Sequence, residues 1–532
     1  MIDSADSKCL LRWPGNMSLF ERLYQSERAA QVAVLYEHAE FTYGEMRQRT
    51  VEVAEALTAL GIGAGDRVAI LLNDSPEFIT SFVATISLGA IAVPINLALR
   101  REDQLFILKD SGAGAAIVEA NVADSLFQES QTEVKNLLVV SRDDAPGVGS
   151  IGEISIQPLA TAPRRSLSDE FPVRVGEEAD AFILYTSGST GEPKGAVHGQ
   201  ADIFYTNETF GSEVLQLRED DRLFSSSRLP FAYGLGNSFT FPLLNGFTTI
   251  LCREKPAPDV VSRVFKEYRP TIFFGVPVVY SMLLEHRRAG HELDTASLRV
   301  CVSAGEALPA QLGEDWQKTF GVEVLDGIGS TEMLHMFMSN QPGDVRYGSS
   351  GRLLAGYEAR LVDHEGVATP PGEAGNLWIR GGSAASRYWR RPDLSAETFV
   401  DGWVRTGDLY AADVDGFWWH QGRSDDCFKP TGQWVSPIEV ENVLLRHETV
   451  RAAAVVEGFD AHGLSCVCAF VVCTDKEVGT AEESLRALCA GSLPRFKQPR
   501  RYIFVSELPY TATGKVQRFK LREQLRSERE PN

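Results

Sequence analysis

The chain has no surplus of positive charge and no long apolar run. Of its 532 residues, 52 are Lys or Arg and 72 are Asp or Glu, a formal charge of −20. Such a balance repels phosphate backbones and anionic lipid surfaces across the Debye length. It argues against nucleic acid as a partner, and any anionic substrate must be caught by locally aimed cations and backbone amides. The most apolar stretch, FVATISLGAIAVPIN (Phe82 to Asn96), is too short and too broken by Ser, Thr, Gly and Pro to span a bilayer, so no membrane association is expected. It reads as a buried helix running into a strand. No basic segment followed by an apolar run opens the sequence, and a cytoplasmic protein is expected. The eight cysteines are scattered. Even Cys466 and Cys468, at strand spacing in LSCVCAFVVC, lack the second pair or the histidines of a zinc site, so buried free thiols are expected. Internal repeats and low-complexity segments are missing too.

What is present suits several packed cores. The composition is 44% hydrophobic and 23% charged, and the length exceeds one ordinary domain, so a large domain with a smaller companion is expected. TYGEMRQRTVEVAEALTALG places Thr42 and Glu45 at capping-box spacing and ends at Gly61, which predicts an amphipathic helix. The apolar runs RVAILL, AIAVPI, AAIVEA, NLLVV, FTTILC, TIFFG and RVCVS alternate with helix-length segments, the pattern of βαβ crossovers in mainly parallel sheets. From about Tyr357 the texture changes to short segments with Gly and Pro turns, typical of antiparallel hairpins. After Arg423, PIEVENVLLRHE, RAAAVVEGF, CVCAFVV, AEESLRALCA and RYIFVS spell a separate α+β unit. The fold class is therefore α/β: a large N-terminal domain of mainly parallel sheets flanked by helices, with a β-rich subdomain, followed by a small α+β domain.

One stretch concentrates glycines and hydroxyls around a lysine: YTSGSTGEPKG, residues 185–195. Glycine permits unusual dihedrals and removes side chains that would block a phosphate, so Ser187, Gly188, Ser189, Thr190 and Gly191 can aim backbone N–H groups and hydroxyls at one point. Lys194 adds a positive charge. The spacing is not that of a GxxxxGK[ST] P-loop, because Lys194 is followed by Gly195. Taken alone, the composition also fits a plain surface loop.

With DGIGSTEMLH (326–335), RTGDL (405–409), GRSDDCFKPTGQWVSPIEVE (422–441) and PYTATGKVQR (509–518), in that order, the chain resembles the adenylate-forming superfamily of acyl-CoA synthetases, adenylation domains and luciferases along essentially its whole length. FAYGLGNSFTFPL, FFGVPVVYSMLL and STEMLHMFMSNQPGDVRYGSSG look most like its benzoate-CoA and 2-aminobenzoate-CoA ligase branch.

The resemblance implies an enzyme that joins an aromatic carboxylate to the α-phosphate of ATP and passes the acyl group to coenzyme A. The alternative is an aryl-adenylating enzyme that loads an acyl carrier protein; monomer and homodimer both remain open. By resemblance, Thr186, Ser187, Gly188, Ser189, Thr190, Gly191 and Lys194 hold the ATP phosphates, Thr331 contacts the α-phosphate and Glu332 helps to hold Mg²⁺. Asp408, assisted by Arg423, takes the ribose hydroxyls. The adenine slot is formed by SAGEAL, with Gly305 and Glu306, and by DGIG, with Asp326, Gly327 and Ile328. Lys515 is the implied catalytic lysine, Gly432 keeps the pantetheine passage open, and Asp425 is the implied hinge between an N-terminal domain of residues 1–424, with two mainly parallel sheets, and a small mobile α+β domain of residues 425–532. Phe231, Ala232, Tyr233, Gly234, Gly329 and His335 are the implied acyl-binding residues. His335 is read either as a substrate contact or as a satisfied core histidine. Pro430 and Pro230 depart from the branch's usual residues at the tunnel loop and the pocket edge.

Overall fold

The computed structural model describes residues 18–527 except 129–131, 142–148, 177–178, 188–191, 364, 371, 431–432, 434, 461–463, 474–477 and 511–515. The capping box forms as its spacing predicts. Thr42 Oγ1 accepts the Glu45 N–H at 3.2 Å, Glu45 accepts the Thr42 N–H at 2.7 Å, and the helix Tyr43–Ala59 follows. Gly61, at φ +81°, turns the chain out of it. The apolar stretch near Phe82 becomes the helix Pro76–Ser87, buried at every residue but Glu77, and then the strand Ile91–Pro94.

Two nine-stranded sheets form the large part. In the first, Ile272–Gly275, Val300–Ser303 and Val324–Gly329 run parallel side by side, and Met336–Ser339 returns antiparallel beside the last of them. Their near-continuous burial is what a sheet covered on both faces demands. The carboxyl ends of these strands lead into SAGEAL and DGIGSTE, where ligands bind in α/β sheets. In the second sheet Phe182–Ser187 runs parallel to Ile91–Pro94 and antiparallel to Pro193–His198, with Lys194 opposite Thr186. The glycine-rich stretch thus joins the two arms of a hairpin.

A five-stranded antiparallel sheet, with Gly375–Arg380 and Trp403–Ala412 at its centre and Trp418–Arg423 paired at the edge of the latter, is the β-rich part expected after Tyr357. Its register sets Asp408 opposite Arg423. The last unit is a three-stranded sheet of Val450–Phe459, Ser465–Cys473 and Arg501–Phe504. Val440, Leu444, Leu485 and Cys489 pack on one of its faces, and Leu521 and Leu525 on the other. The fold class therefore matches the sequence expectation. The seven cysteines described are free. Four are buried as expected, whereas Cys252, Cys427 and Cys473 are partly exposed because they stand in a turn or at the end of a strand. Among the described residues no helix is long and apolar enough to cross a membrane.

Candidate active site

Gly188, Ser189, Thr190 and Gly191 lie outside the described residues, as does the side chain of Ser187. Lys194, on the returning arm of the hairpin, donates to Tyr388 Oη at 2.6 Å, and Tyr388 Oη donates to Glu332 Oε1, also at 2.6 Å. Lys194 Nζ is 3.4 Å from Glu332 Oε1. The result is an ammonium, a phenol and a carboxylate in one chain. Burial would raise the Glu332 carboxyl, but Lys194 and Tyr388 together hold it below the usual carboxylate range. Burial and Glu332 push the Tyr388 phenol up, so it serves as a neutral donor.

The turn that carries Thr331 and Glu332 is gripped from three sides. Ser330 caps it, accepting the Met333 N–H at 3.2 Å. The Thr331 carbonyl lies 2.8 Å from His198 Nε2, the Glu332 carbonyl accepts the Ala385 N–H at 2.7 Å, and the Met333 carbonyl accepts Ser383 Oγ at 2.8 Å. Leu334 follows at φ +63°, a conformation that a branched side chain adopts only when its surroundings insist. His198 is buried, with Nδ1 2.7 Å from Asp202 Oδ2. It ties the arm that bears Lys194 to the turn that bears Glu332.

SAGEAL and DGIG are joined through Asp326, which is buried and accepts the Leu308 N–H at 3.2 Å. Burial pushes its carboxyl far above the ordinary range. Gly327 and Gly329 have a packing reason of their own. A Cβ on Gly327 would stand 2.1 Å from Met336 Cε, and one on Gly329 would stand 2.5 Å from the His335 carbonyl oxygen. Ile328 packs at the edge of the apolar core between them. Gly305 is exposed at φ +94°. Glu306 accepts the Val516 N–H at 2.9 Å, so its carboxylate contacts the C-terminal unit.

Asp408 Oδ1 lies 3.3 Å from Arg423 Nη1 and 3.6 Å from His420 Nε2. Burial opposes the charge on Arg423, yet Asp408, Asp425 and Glu332 together strengthen its hold on the proton. The ribose aspartate and the metal carboxylate expected from sequence thus share one electrostatic field. Asp425 is exposed, 4.0 Å from Arg423 Nη2, where the chain leaves the third sheet. Lys515 and Gly432 lie outside the described residues.

The residues expected at the acyl pocket form an aromatic nest. His335 is buried, with ring centroids 4.6 Å from Phe241, 4.9 Å from Phe210 and 5.6 Å from Tyr233. Its Nε2 is 3.1 Å from Asn237 Oδ1, while Nδ1 has no hydrogen bond among the described residues. Burial lowers its pKa to about 3, so the ring is neutral. Tyr233 Oη donates to the Val302 carbonyl at 3.2 Å, and Phe231 and Ala232 are half-buried beside it. Gly234 is required where it stands, because a Cβ there would come within 2.0 Å of the Arg228 carbonyl oxygen. Asp74 fastens this segment to the second sheet by accepting the Leu229 N–H at 3.0 Å and facing Arg228 at 3.5 Å.

Lys194, Glu332, Asp408 and Arg423 are brought together, and Tyr233 and His335 are joined at a second locus. Sequence reasoning missed Tyr388, Asn237 and the His198–Asp202 pair. His198 had a faint signal: on a strand, residues 194, 196 and 198 point to one face. Tyr388 had none, since its contacts reach 194 residues back along the chain. Among the described residues no group of three or more His, Cys, Asp or Glu forms a protein-only metal cage. A single ionised carboxylate nevertheless suits Mg²⁺, a hard ion that keeps waters and substrate phosphates as its other ligands.

Comparison with known proteins agrees with this geometry. Residues 21–389 match the family described as AMP-binding enzyme, and residues 439–515 match the AMP-binding enzyme C-terminal domain. The chain is 41% identical to a benzoate–CoA ligase of Thauera aromatica over 93% of each chain. It superposes on the anthranilate CoA ligase AuaEII in complex with anthranoyl-AMP with a TM-score of 0.89, at 36% identity, covering 97% of this chain and 99% of that one. It also superposes on a benzoate CoA ligase from Burkholderia xenovorans LB400 with a TM-score of 0.84, at 37% identity, covering 95% and 100%. The chain belongs to the AMP-binding enzyme family, the adenylate-forming superfamily, in the branch that contains benzoate–CoA and anthranilate–CoA ligases.

Proposed function

We propose that the protein is an ATP-dependent aryl-CoA ligase acting on benzoate or 2-aminobenzoate. The observation that carries this reading is the Lys194–Tyr388–Glu332 chain set beside the clamped Thr331 turn. A carboxylate oxygen of the acid attacks the α-phosphorus of ATP, and the bond from that phosphorus to pyrophosphate breaks. The thiol of coenzyme A, losing its proton, then attacks the acyl carbon and expels AMP, which keeps the bridging oxygen.

The residues divide this work. Lys194 and the glycine-rich loop meet the charge that gathers on pyrophosphate as it leaves. Glu332 is the residue that would hold Mg²⁺, whose chemistry is to neutralise phosphate oxygens. The Lys194–Glu332 pair suits the arrival of a metal–polyphosphate, because each partner exchanges one opposite charge for another and neither is left unpaired. Thr331 meets the α-phosphate, and Asp408 with Arg423 holds the ribose. The neutral aromatic nest around Tyr233 and His335 gives a flat ring apolar contact without a cation to trap its carboxylate. Residues 1–424 form the nucleotide- and acyl-binding domain and 425–532 the mobile one, turning at Asp425. Lys515 neutralises the developing mixed anhydride and then withdraws, and Gly432 lines the passage by which the thiol enters.

The purified protein with ATP, Mg²⁺, coenzyme A and a panel of carboxylic acids should form aryl-CoA, AMP and pyrophosphate in equal amounts, with benzoates preferred. Preference for medium-chain fatty acids, or ADP as product, would refute the reading. Lys515→Ala should lose about 10²–10³-fold in adenylate formation and spare thioester formation from supplied benzoyl-adenylate.

A further inference from the structure

His198 ends the strand that bears Lys194, and both of its ring nitrogens face acceptors. Nδ1 lies 2.7 Å from Asp202 Oδ2, and Nε2 lies 2.8 Å from the Thr331 carbonyl oxygen. A carbonyl only accepts, so Nε2 carries a proton. Asp202 Oδ2 also accepts the Gly199 N–H at 3.2 Å, as an ionised carboxylate does, which leaves Nδ1 as the donor between them. The ring is buried, and Phe182 stacks on it with centroids 5.3 Å apart and planes at 17°. By itself Asp202 would be an ordinary cap in the first turn of the helix Gln200–Thr206. A cap has no need of the second bond, from the far side of the ring to Thr331. The Thr331 carbonyl and the Glu332 N–H belong to one planar peptide, so a donor that holds this oxygen also sets how Glu332 leaves the backbone. Ala385 and Ser383 grip the same turn from the segment before Tyr388. His198 grips it from the strand of Lys194, and so sets the separation of the ammonium and the carboxylate.

We propose that His198, held by Asp202 as an imidazolium that donates from both nitrogens, is a positioning residue for the first half-reaction: its Nε2–H fixes the Thr331–Glu332 peptide opposite Lys194. The role in the reaction rests on the aryl-CoA ligase reading above, whereas the two protons of the ring do not. A hydrogen bond from a charged donor is stronger than a neutral one. Lys194 and Glu332 face polyphosphate only while the adenylate forms. Loss of the grip should therefore be visible in that half-reaction and nearly silent when benzoyl-adenylate is supplied.

Two measurements test this. Histidine ¹⁵N NMR of the whole protein at neutral pH, with His198→Gln to assign the resonances, reads the ring without any substrate. Both nitrogens of His198 should be protonated, and a bare nitrogen would overturn the proposal. The second measurement follows pyrophosphate exchange into ATP with benzoate, and thioester formation from supplied benzoyl-adenylate with coenzyme A, in the wild type, His198→Asn and His198→Gln. A glutamine amide reaches the place of Nε2 and can donate to the Thr331 carbonyl, whereas the shorter asparagine reaches only the Nδ1 side. His198→Asn should lose about tenfold in exchange kcat and need more Mg²⁺ for half-saturation, with thioester formation within about twofold of wild type. His198→Gln should recover exchange to within about threefold. Equal loss in both half-reactions would mark His198 as merely structural, and glutamine no better than asparagine would deny the Nε2 donor. Each of these results overturns the proposal. A wild type without exchange brings down the ligase reading, and the ¹⁵N spectrum still decides the state of the ring. A wild type that exchanges beside an equally active His198→Asn brings down the positioning role alone.

Discussion

Tyr388→Phe isolates the one member of the Lys194–Tyr388–Glu332 chain, proposed above to handle phosphate, that carries no formal charge. The substitution removes a single oxygen and with it two bonds of 2.6 Å, one from Lys194 and one to Glu332. Hydrogen bonds to charged groups contribute about 1.5–3 kcal/mol each when buried. Here the figure must be discounted, because the side chains of Lys194 and Glu332 keep 24% and 14% of their exposure and remain 3.4 Å apart without the phenol. A net loss of about 1.5 kcal/mol in the positioning of both charges corresponds to about tenfold in rate. The phenol also helps to hold the Glu332 carboxyl low, so its removal shifts that group toward its ordinary value. The assay is pyrophosphate exchange at varied Mg²⁺. The expected result is an about tenfold lower kcat with a raised half-saturating Mg²⁺ and a thermal midpoint within about 3 °C of wild type. Exchange within about twofold of wild type at every Mg²⁺ concentration would refute the reasoning.

Two further outcomes test the proposed acyl pocket. Gly234→Ala sets a Cβ against the Arg228 carbonyl oxygen and carbon, at 2.0 and 2.4 Å, and backbone cannot give way as a side chain can. The KM for benzoate should rise at least about tenfold with the KM for ATP unchanged, or the protein should lose about 3 kcal/mol or more of stability, as kinetics and thermal melts would report. His335 is neutral in the folded protein down to about pH 3, whereas an unfolded histidine titrates near 6.5. The unfolded chain therefore binds the extra proton between these values, and this residue's contribution to stability falls as the pH drops through them, by up to about 1.4 kcal/mol per pH unit. Urea denaturation between about pH 4.5 and 6.5 should show a shallower acid loss in His335→Gln than in wild type; parallel slopes would contradict it.

Much of the fold was legible because hydrophobic period and capping act locally. Thr42 with Glu45, the run from Phe82 to Asn96, and the alternating segments after Tyr357 each declare themselves within a dozen residues. The motifs that carry Lys194, Glu332, Asp408 and Arg423 were legible by resemblance, and the sheets bring these residues together. What stayed hidden depends on distant chain. Tyr388 reaches Lys194 from a loop with no periodicity, and Asn237 acquires meaning only once His335 packs against it. Glu306 read as part of a nucleotide slot because its neighbours in sequence are small. Its side chain also bonds to a residue 210 positions away, a contact that no local signal foretells. Gly327 and Gly329 carried a second meaning of the same kind, since their missing side chains make room for the returning strand.

The claim beneath all of this is that the acid's own oxygen becomes bonded to the α-phosphorus of ATP before sulfur arrives. Benzoate labelled with ¹⁸O in both carboxylate positions tests it in a single turnover experiment read by mass spectrometry. The account predicts one ¹⁸O in AMP for each benzoyl-CoA formed and none in pyrophosphate. Thioester formed alongside unlabelled AMP would contradict it.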